Sequence, residues 1–250
     1  MDDPSITFLH PDLSGLRVIC LRAQSACLFL FKKGVDEIIP NGIWRSKRRK
    51  DANMGKAEET KRYIIEQAAP IFNMHGYAGT TMSQLTRAIK MTKGAIYGNF
   101  KNKDEIALAA FDHNFAEISK RVIKVVRSKE NACDKLIAFA NFYLDAFAEI
   151  SRNGGCPILN AAIDSDNVHQ PLKERVASAI ETWIGTVMHI IYEGIQRKQI
   201  DPNTRAEQFA SLFVSLIEGG MMLSKTTGNT IHLSRNIDHV IHLVNAELRL

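Results

Sequence analysis

The sequence predicts an all-α fold in two parts, a small three-helix unit followed by a larger helical domain. Three observations carry this. From about residue 56 onward, apolar residues recur every three or four positions in one segment after another, and no strand alternation or internal repeat appears. Thr80 to Phe100 divides into two short capped helices joined by a tight turn. The chain has 250 residues, 45% of them hydrophobic and 24% charged, a composition ordinary for a globular protein long enough to bury a substantial core.

The elements follow in order. Residues 1–53 lack a clean period and hold Arg45-Ser46-Lys47-Arg48-Arg49-Lys50, five basic residues in six. They are expected to be a solvated leader, with an arm along a polyanion as the alternative. Met54 opens directly onto the first helix and is a candidate natural start, so the small unit is taken as 54–103 and the larger domain as 104–250. The first helix is expected from Lys56 to Met74, burying Ile64, Ile65, Ala68, Ile71 and Phe72, interrupted by Pro70 and closed by Gly76. Met82 to Ile89 forms the next, with Thr81 and Gln84 as a capping box, and Thr92 caps a third from Lys93 to Asn99. A long helix runs from Lys103 to Arg127, roughly 36 Å at 1.5 Å per residue. Helices over 134–151 and 171–198 follow, with a short amphipathic piece at 156–166 between them. Thr204 caps another to Lys225, in which Gly219-Gly220 implies close approach of a neighbour. The last covers 234–250.

Two short helices joined by so brief a turn form a helix-turn-helix, which places its second helix in the DNA major groove. Ile96 and Phe100 face inward, which leaves Lys93, Gly94, Ala95 and Tyr97 outward. Gly94 and Ala95 allow close approach to base edges, and Lys93, Tyr97 and Asn99 supply donors for phosphates or bases. A net charge of +5 leans weakly toward nucleic acid. No G-x-S-x-G elbow or Gly-rich phosphate loop argues for an enzyme. Cys20, Cys27, Cys133 and Cys156 show no C-x-x-C spacing, so neither a zinc ribbon nor a thioredoxin motif is indicated, and their scatter fits a cytoplasmic protein; no metal or cofactor is expected. No apolar run is long enough for a membrane span, and the acidic start lacks a signal peptide's basic region.

Lys61 to Ile106 resembles the DNA-binding domain of the tetracycline-repressor (TetR) family of bacterial transcription regulators. The matching residues are Ile64-Ile65, Ala68-Ala69, Phe72, Gly76-Tyr77, Thr80-Thr81, Leu85, Lys93 to Tyr97, Phe100 and Lys103. Three positions depart from the family pattern: Lys90 stands at the usual turn glycine, Asn99 at the usual histidine, and Pro70 lies in the first helix. The resemblance implies a homodimeric, ligand-responsive repressor of a palindromic operator. In it Thr81, Lys93, Tyr97, Asn99 and Lys103 anchor phosphates, and Thr92, Gly94 and Ala95 lie nearest the bases. Arg152 to Val176 resembles one branch of the family through Gly155-Cys156, Asn160 and Asp164.

Partners implied are therefore double-stranded DNA, a small-molecule effector and a second copy of the chain, without a membrane. Phe111, Phe142, Phe147, Asn160, Trp183 and Val187 are candidates for lining an effector cavity, although aromatic residues at helical spacing also serve as plain core. Phe213, Ile217, Gly220, Ile237, Val240, Ile241 and Val244 are the candidate dimer interface, as a four-helix contact across a two-fold axis. A redox sensor acting through Cys156 is the alternative mode of regulation. His239 and His242, three apart, read as surface or interface residues rather than metal ligands.

Overall fold

The computed structural model describes residues 38–39, 43–44, 55–166 and 168–250. Helices dominate them: α1 (Lys56–Gly79), α2 (Met82–Ile89), α3 (Lys93–Tyr97), α4 (Lys103–Arg127), α5 (Ala132–Asp145), α6 (Phe147–Arg152), α7 (Pro157–Ser165), α8 (Gln170–Gln196), α9 (Ala206–Thr227) and α10 (Ile231–Leu243), closed by a π-helical turn at Val244–Leu248. The basic run Arg45 to Lys50 lies outside the described residues, as does most of the expected leader. One short antiparallel pair, β1 (Ile38–Ile39) and β2 (Ile43–Trp44), is an exception to the all-helical expectation.

Two apolar clusters organise the helices. The smaller joins Ile64, Ala68 and Phe72 of α1 to Leu85 and Ile89 of α2, Ile96 of α3, Phe100, and Ile106 and Ala110 of α4. The larger is built on Phe111, Phe115, Ile118 and Val122 of α4 together with the inner faces of α5 to α10. Helix α4 therefore crosses from one core to the other between Ala110 and Phe111. Its start is fixed by the Asn102 side chain, which accepts from the Glu105 amide at 2.9 Å, with Asp104 and Glu105 at the positive end of the helix dipole.

Several boundaries differ from the sequence expectation for local reasons. Pro70 does not stop α1; it lies within the helix on its exposed face. The break comes at Gly76, at φ 71° and ψ 174°, after which a last turn runs to Gly79. The helix expected over 134–151 is divided at Ala146 into α5 and α6. Thr204 caps nothing: α9 begins after Arg205 without a side-chain cap, and the Thr204 hydroxyl is buried without a hydrogen-bond partner among the described residues. The glycine pair in α9 has two different surroundings. A Cβ on Gly220 would lie 3.0 Å from the Leu233 backbone of α10, whereas one on Gly219 would meet nothing within 4 Å.

Candidate nucleic-acid interface and junction cavity

The geometry of α2 and α3 comes from local hydrogen bonds. Thr81 Oγ1 accepts from the Gln84 amide at 3.2 Å, and Gln84 Oε1 accepts from the Thr81 amide at 2.7 Å, the reciprocal capping box. Lys90 takes the left-handed conformation, φ 57° and ψ 36°, that a glycine would adopt without strain. Thr92 Oγ1 then accepts from the Ala95 amide at 3.2 Å and starts α3. Tyr63 Oη donates to the Ile89 carbonyl at 3.2 Å and ties the turn to α1.

With Ile96 and Phe100 buried, Thr92, Lys93, Gly94 and Ala95 are exposed in a row, and Tyr97 and Asn99 are half-buried beside them. A Cβ on Gly94 would meet nothing within 4 Å, so no contact among the described residues requires a glycine there. Lys93 Nζ lies 5.8 Å from the Tyr97 ring centroid. Two expected phosphate anchors have partners inside the chain. Asn99 Nδ2 donates to the Ala95 carbonyl at 3.0 Å. Lys103 Nζ donates to the Tyr77 carbonyl at 2.6 Å and sits 4.3 Å from the Tyr77 ring centroid.

A cavity of about 30 Å³ lies where α1 meets α4, α7 and α8. Phe72, Asn73 and Tyr77 of α1, Phe111 and Asn114 of α4, and Asn160 and Asp164 of α7 are among its walls. Side chains clasp α1 to α7 around it. Asn160 Nδ2 donates to the Asn73 carbonyl at 3.0 Å and the Gly154 carbonyl at 2.8 Å. Asn73 Nδ2 reaches the Asn153 and Gly155 carbonyls at 2.7 and 3.0 Å. The Asp164 carboxylate accepts from the Tyr77 amide directly after the Gly76 break. A Cβ on Gly76 would stand 2.7 Å from Asp164 Oδ1, so both the positive φ and this contact require glycine. The Tyr77 hydroxyl donates to Asp104, and that bond, with burial, pushes its pKa to about 12. His169 stacks edge-on against Tyr77 with centroids 4.3 Å apart and accepts from the Leu172 amide at 3.0 Å, opening α8.

Of the six expected effector residues, the cavity contains Phe111 and Asn160. Phe142, Phe147, Trp183 and Val187 lie instead in the larger core. Trp183 is 4% exposed, with the rings of Phe115, Phe139 and Tyr143 at 5.9, 6.2 and 5.5 Å. Aromatic spacing signals burial, but it does not distinguish a wall from a filled core. Asn73, Tyr77 and Asn114 escape sequence reasoning as cavity residues because their partners are remote in sequence.

The expected dimer residues also need correction. Phe213, Ile217, Gly220, Ile237, Val240 and Val244 are buried within the single chain, where α9 and α10 pack on each other and on α5, and Ile241 is half-buried against the same core. The opposite face of α9 carries the exposed apolar residues, Leu212 at 45%, Met222 at 42% and Leu223 at 43%, with half-buried Leu216 and Gly219 between them. His239 and His242 are exposed on α10, their rings 6.4 Å apart.

Redox sensing through Cys156 is not supported. The thiol is 2% exposed and donates to Glu218 Oε1 at 3.0 Å. Burial and the adjacent Glu218 push its pKa well above the usual thiol range, which suppresses the reactive thiolate. Burial also raises Glu218 to about 7, and its Oε2 has no hydrogen-bond partner among the described residues.

Comparison with known proteins agrees with this architecture. Residues 64–110 match the family described as bacterial regulatory proteins, tetR family, and residues 132–240 match the tetracyclin repressor-like C-terminal domain. The chain is 23% identical over 187 residues to the HTH-type transcriptional regulator LmrA of Bacillus subtilis (strain 168), covering 73% of this chain and 97% of that one. It is 19% identical over 169 residues to the HTH-type transcriptional repressor DhaR of Mycobacterium sp. (strain GP1), covering 68% and 84%. Among solved structures, a TetR-family transcriptional regulator from Cytophaga hutchinsonii superposes with a TM-score of 0.75 at 33% identity, covering 78% of this chain and 98% of that one. Helix-turn-helix, helical second domain and these matches together place the chain in the tetracycline-repressor family of bacterial transcription regulators.

Proposed function

We propose that the chain is a homodimeric repressor that binds a palindromic operator through α3 and is released by a small-molecule effector. The observation that carries the DNA contact is the exposed row Thr92 to Ala95, held on a buried Ile96–Phe100 base with an open position at Gly94. Thr81, Tyr97, Asn99 and Lys103 flank this row on the phosphate side, Lys103 with part of its donor capacity committed to Tyr77. The relative DhaR carries the name repressor, which supports the sign of regulation.

A single recognition helix reads only a few base pairs, so a palindrome requires two copies. The second copy is best accommodated on the Leu212, Leu216, Gly219 and Met222-Leu223 face of α9. There, among the described residues, Gly219 has no packing reason to be small. The effector enters at or near the junction cavity, because that cavity shares walls with the DNA-binding unit and with α4, α7 and α8.

The test is fluorescence anisotropy with DNA from beside the gene. Lys93→Ala is expected to weaken binding to all sequences and to reduce the salt slope by about one. A change in sequence preference with unchanged general affinity would remove Lys93 from the phosphate role. Sedimentation that shows a monomer at micromolar concentration would overturn the dimer.

A further inference from the structure

The junction cavity has a chemical bias. Its amide nitrogens are committed: Asn73 Nδ2 bonds the carbonyls described above, Asn160 Nδ2 bonds its carbonyls and also Asn73 Oδ1 at 3.2 Å, and Asn114 Nδ2 donates to the Ala69 carbonyl at 2.9 Å. With Asn73 Oδ1 engaged in this way, the amide acceptors that remain are the oxygens of Asn114 and Asn160. Asp164 adds a carboxylate, and among the described residues no Lys or Arg pairs with it. Lys103, the cation on the Tyr77 ring, is tied to the Tyr77 carbonyl and does not reach Asp164 within ion-pair distance. Three rings, Phe72, Tyr77 and Phe111, complete the walls. Acceptors, a carboxylate with no Lys or Arg partner among the described residues and aromatic faces together favour a cation that carries N–H donors.

We propose that the junction cavity is a binding subsite for a small organic cation of the amidinium or ammonium class, held by Asp164 between the Phe72, Tyr77 and Phe111 rings. This deepens the effector-released reading above and rests on it for its biological meaning. At about 30 Å³ the cavity holds only about two waters, so an aromatic cation enters by widening it. The walls that then move apart are α1 of the DNA-binding unit and α7. The Asp164 carboxylate that meets the cation is the same one that holds the Tyr77 amide. Binding the cation and loosening the clasp are thereby one event.

The test is calorimetry on the full chain without DNA, using three probes of one shape: benzamidinium, neutral benzamide and benzoate. Benzamidinium is expected to bind at least ten-fold more tightly than benzamide, and benzoate not at all. Asp164→Asn keeps an acceptor for the Tyr77 amide and should bring benzamidinium down to the benzamide level. Ala161→Leu adds bulk at a cavity wall without removing a polar group and should abolish binding of both. Equal binding of the three probes would overturn the proposal. So would benzamidinium affinity unchanged in a folded Asp164→Asn. If Asp164→Asn melts early, the Ala161→Leu titration decides: retained benzamidinium binding overturns the site. Because DNA is absent, a protein that binds benzamidinium as described but keeps its operator would leave the subsite standing and defeat only the effector-released reading.

Discussion

The two cores of this protein are built differently. The α1–α3 unit buries mostly aliphatic side chains and sets its geometry with short-range backbone devices: a capping box at Thr81, a left-handed Lys90, a cap at Thr92. The domain behind it buries an aromatic network in which Phe139 meets Tyr143, Trp183 and Phe213 at centroid distances of 6.2, 6.2 and 5.2 Å. A short helix such as α3, five residues long, cannot form alone and depends on its caps and on the base beneath it. Long helices can instead be held by side-chain bulk. The DNA-facing unit should therefore respond most to changes in backbone conformation, and the rear domain most to lost volume or altered charge.

Substitutions can break or sharpen that contrast. The largest effect is expected for Trp183→Ala, which empties the aromatic core and should cost about 3–5 kcal/mol of unfolding free energy in a denaturant titration. A loss below about 1 kcal/mol would mean that Trp183 borders space rather than packed rings.

Next comes the carboxyl group held out of water at Glu218. Its folded pKa, about 7, lies above the ordinary carboxylate value of 4.5. The folded state thus holds a proton that the unfolded state has lost between those pH values. The stability Glu218 contributes is complete below pH 4.5 and is lost as pH rises through about 7. Relative to wild type, Glu218→Gln should gain about 3 kcal/mol across that window, since each tenfold difference in proton affinity corresponds to about 1.4 kcal/mol. Parallel stability curves for the two proteins across that window would show that the carboxylate is well solvated.

At the seam between the regions, Gly76→Ala combines a strained positive φ with a contact against Asp164, and should lower stability by about 2 kcal/mol. An unchanged melting temperature would show that the α1–α7 clasp is loose. The smallest effect belongs to the front unit. Lys90→Gly relieves the left-handed conformation and should raise stability by roughly 0.5–1 kcal/mol, with DNA affinity measured alongside.

The same contrast explains what could be read from the sequence. The capping residues lie within three positions of the amides they serve, so the helix-turn-helix could be placed to within a residue or two. The cavity could not, because Asp164 and Tyr77, like Asn160 and Asn73, are 87 residues apart and meet only when the helices pack. On α9 both faces are apolar, Phe213-Ile217-Gly220 inward and Leu212-Leu216-Gly219 outward, and periodicity does not say which face meets its own chain. A buried aromatic stripe is equally silent about whether its neighbour is a helix or a ligand. Thr204 misleads because a threonine before a helix can cap only when its backbone leaves the hydroxyl within reach of the first amides.

The open space above Gly94 has an evolutionary consequence. Among the described residues nothing lies within 4 Å of a Cβ placed there, and helix propensity favours a residue other than glycine. On the proposed DNA contact, mutation at this codon is filtered by the nucleic acid rather than by packing within the chain. The same proposal lets a lineage exchange one target site for another through this residue without first acquiring a compensating change in the protein.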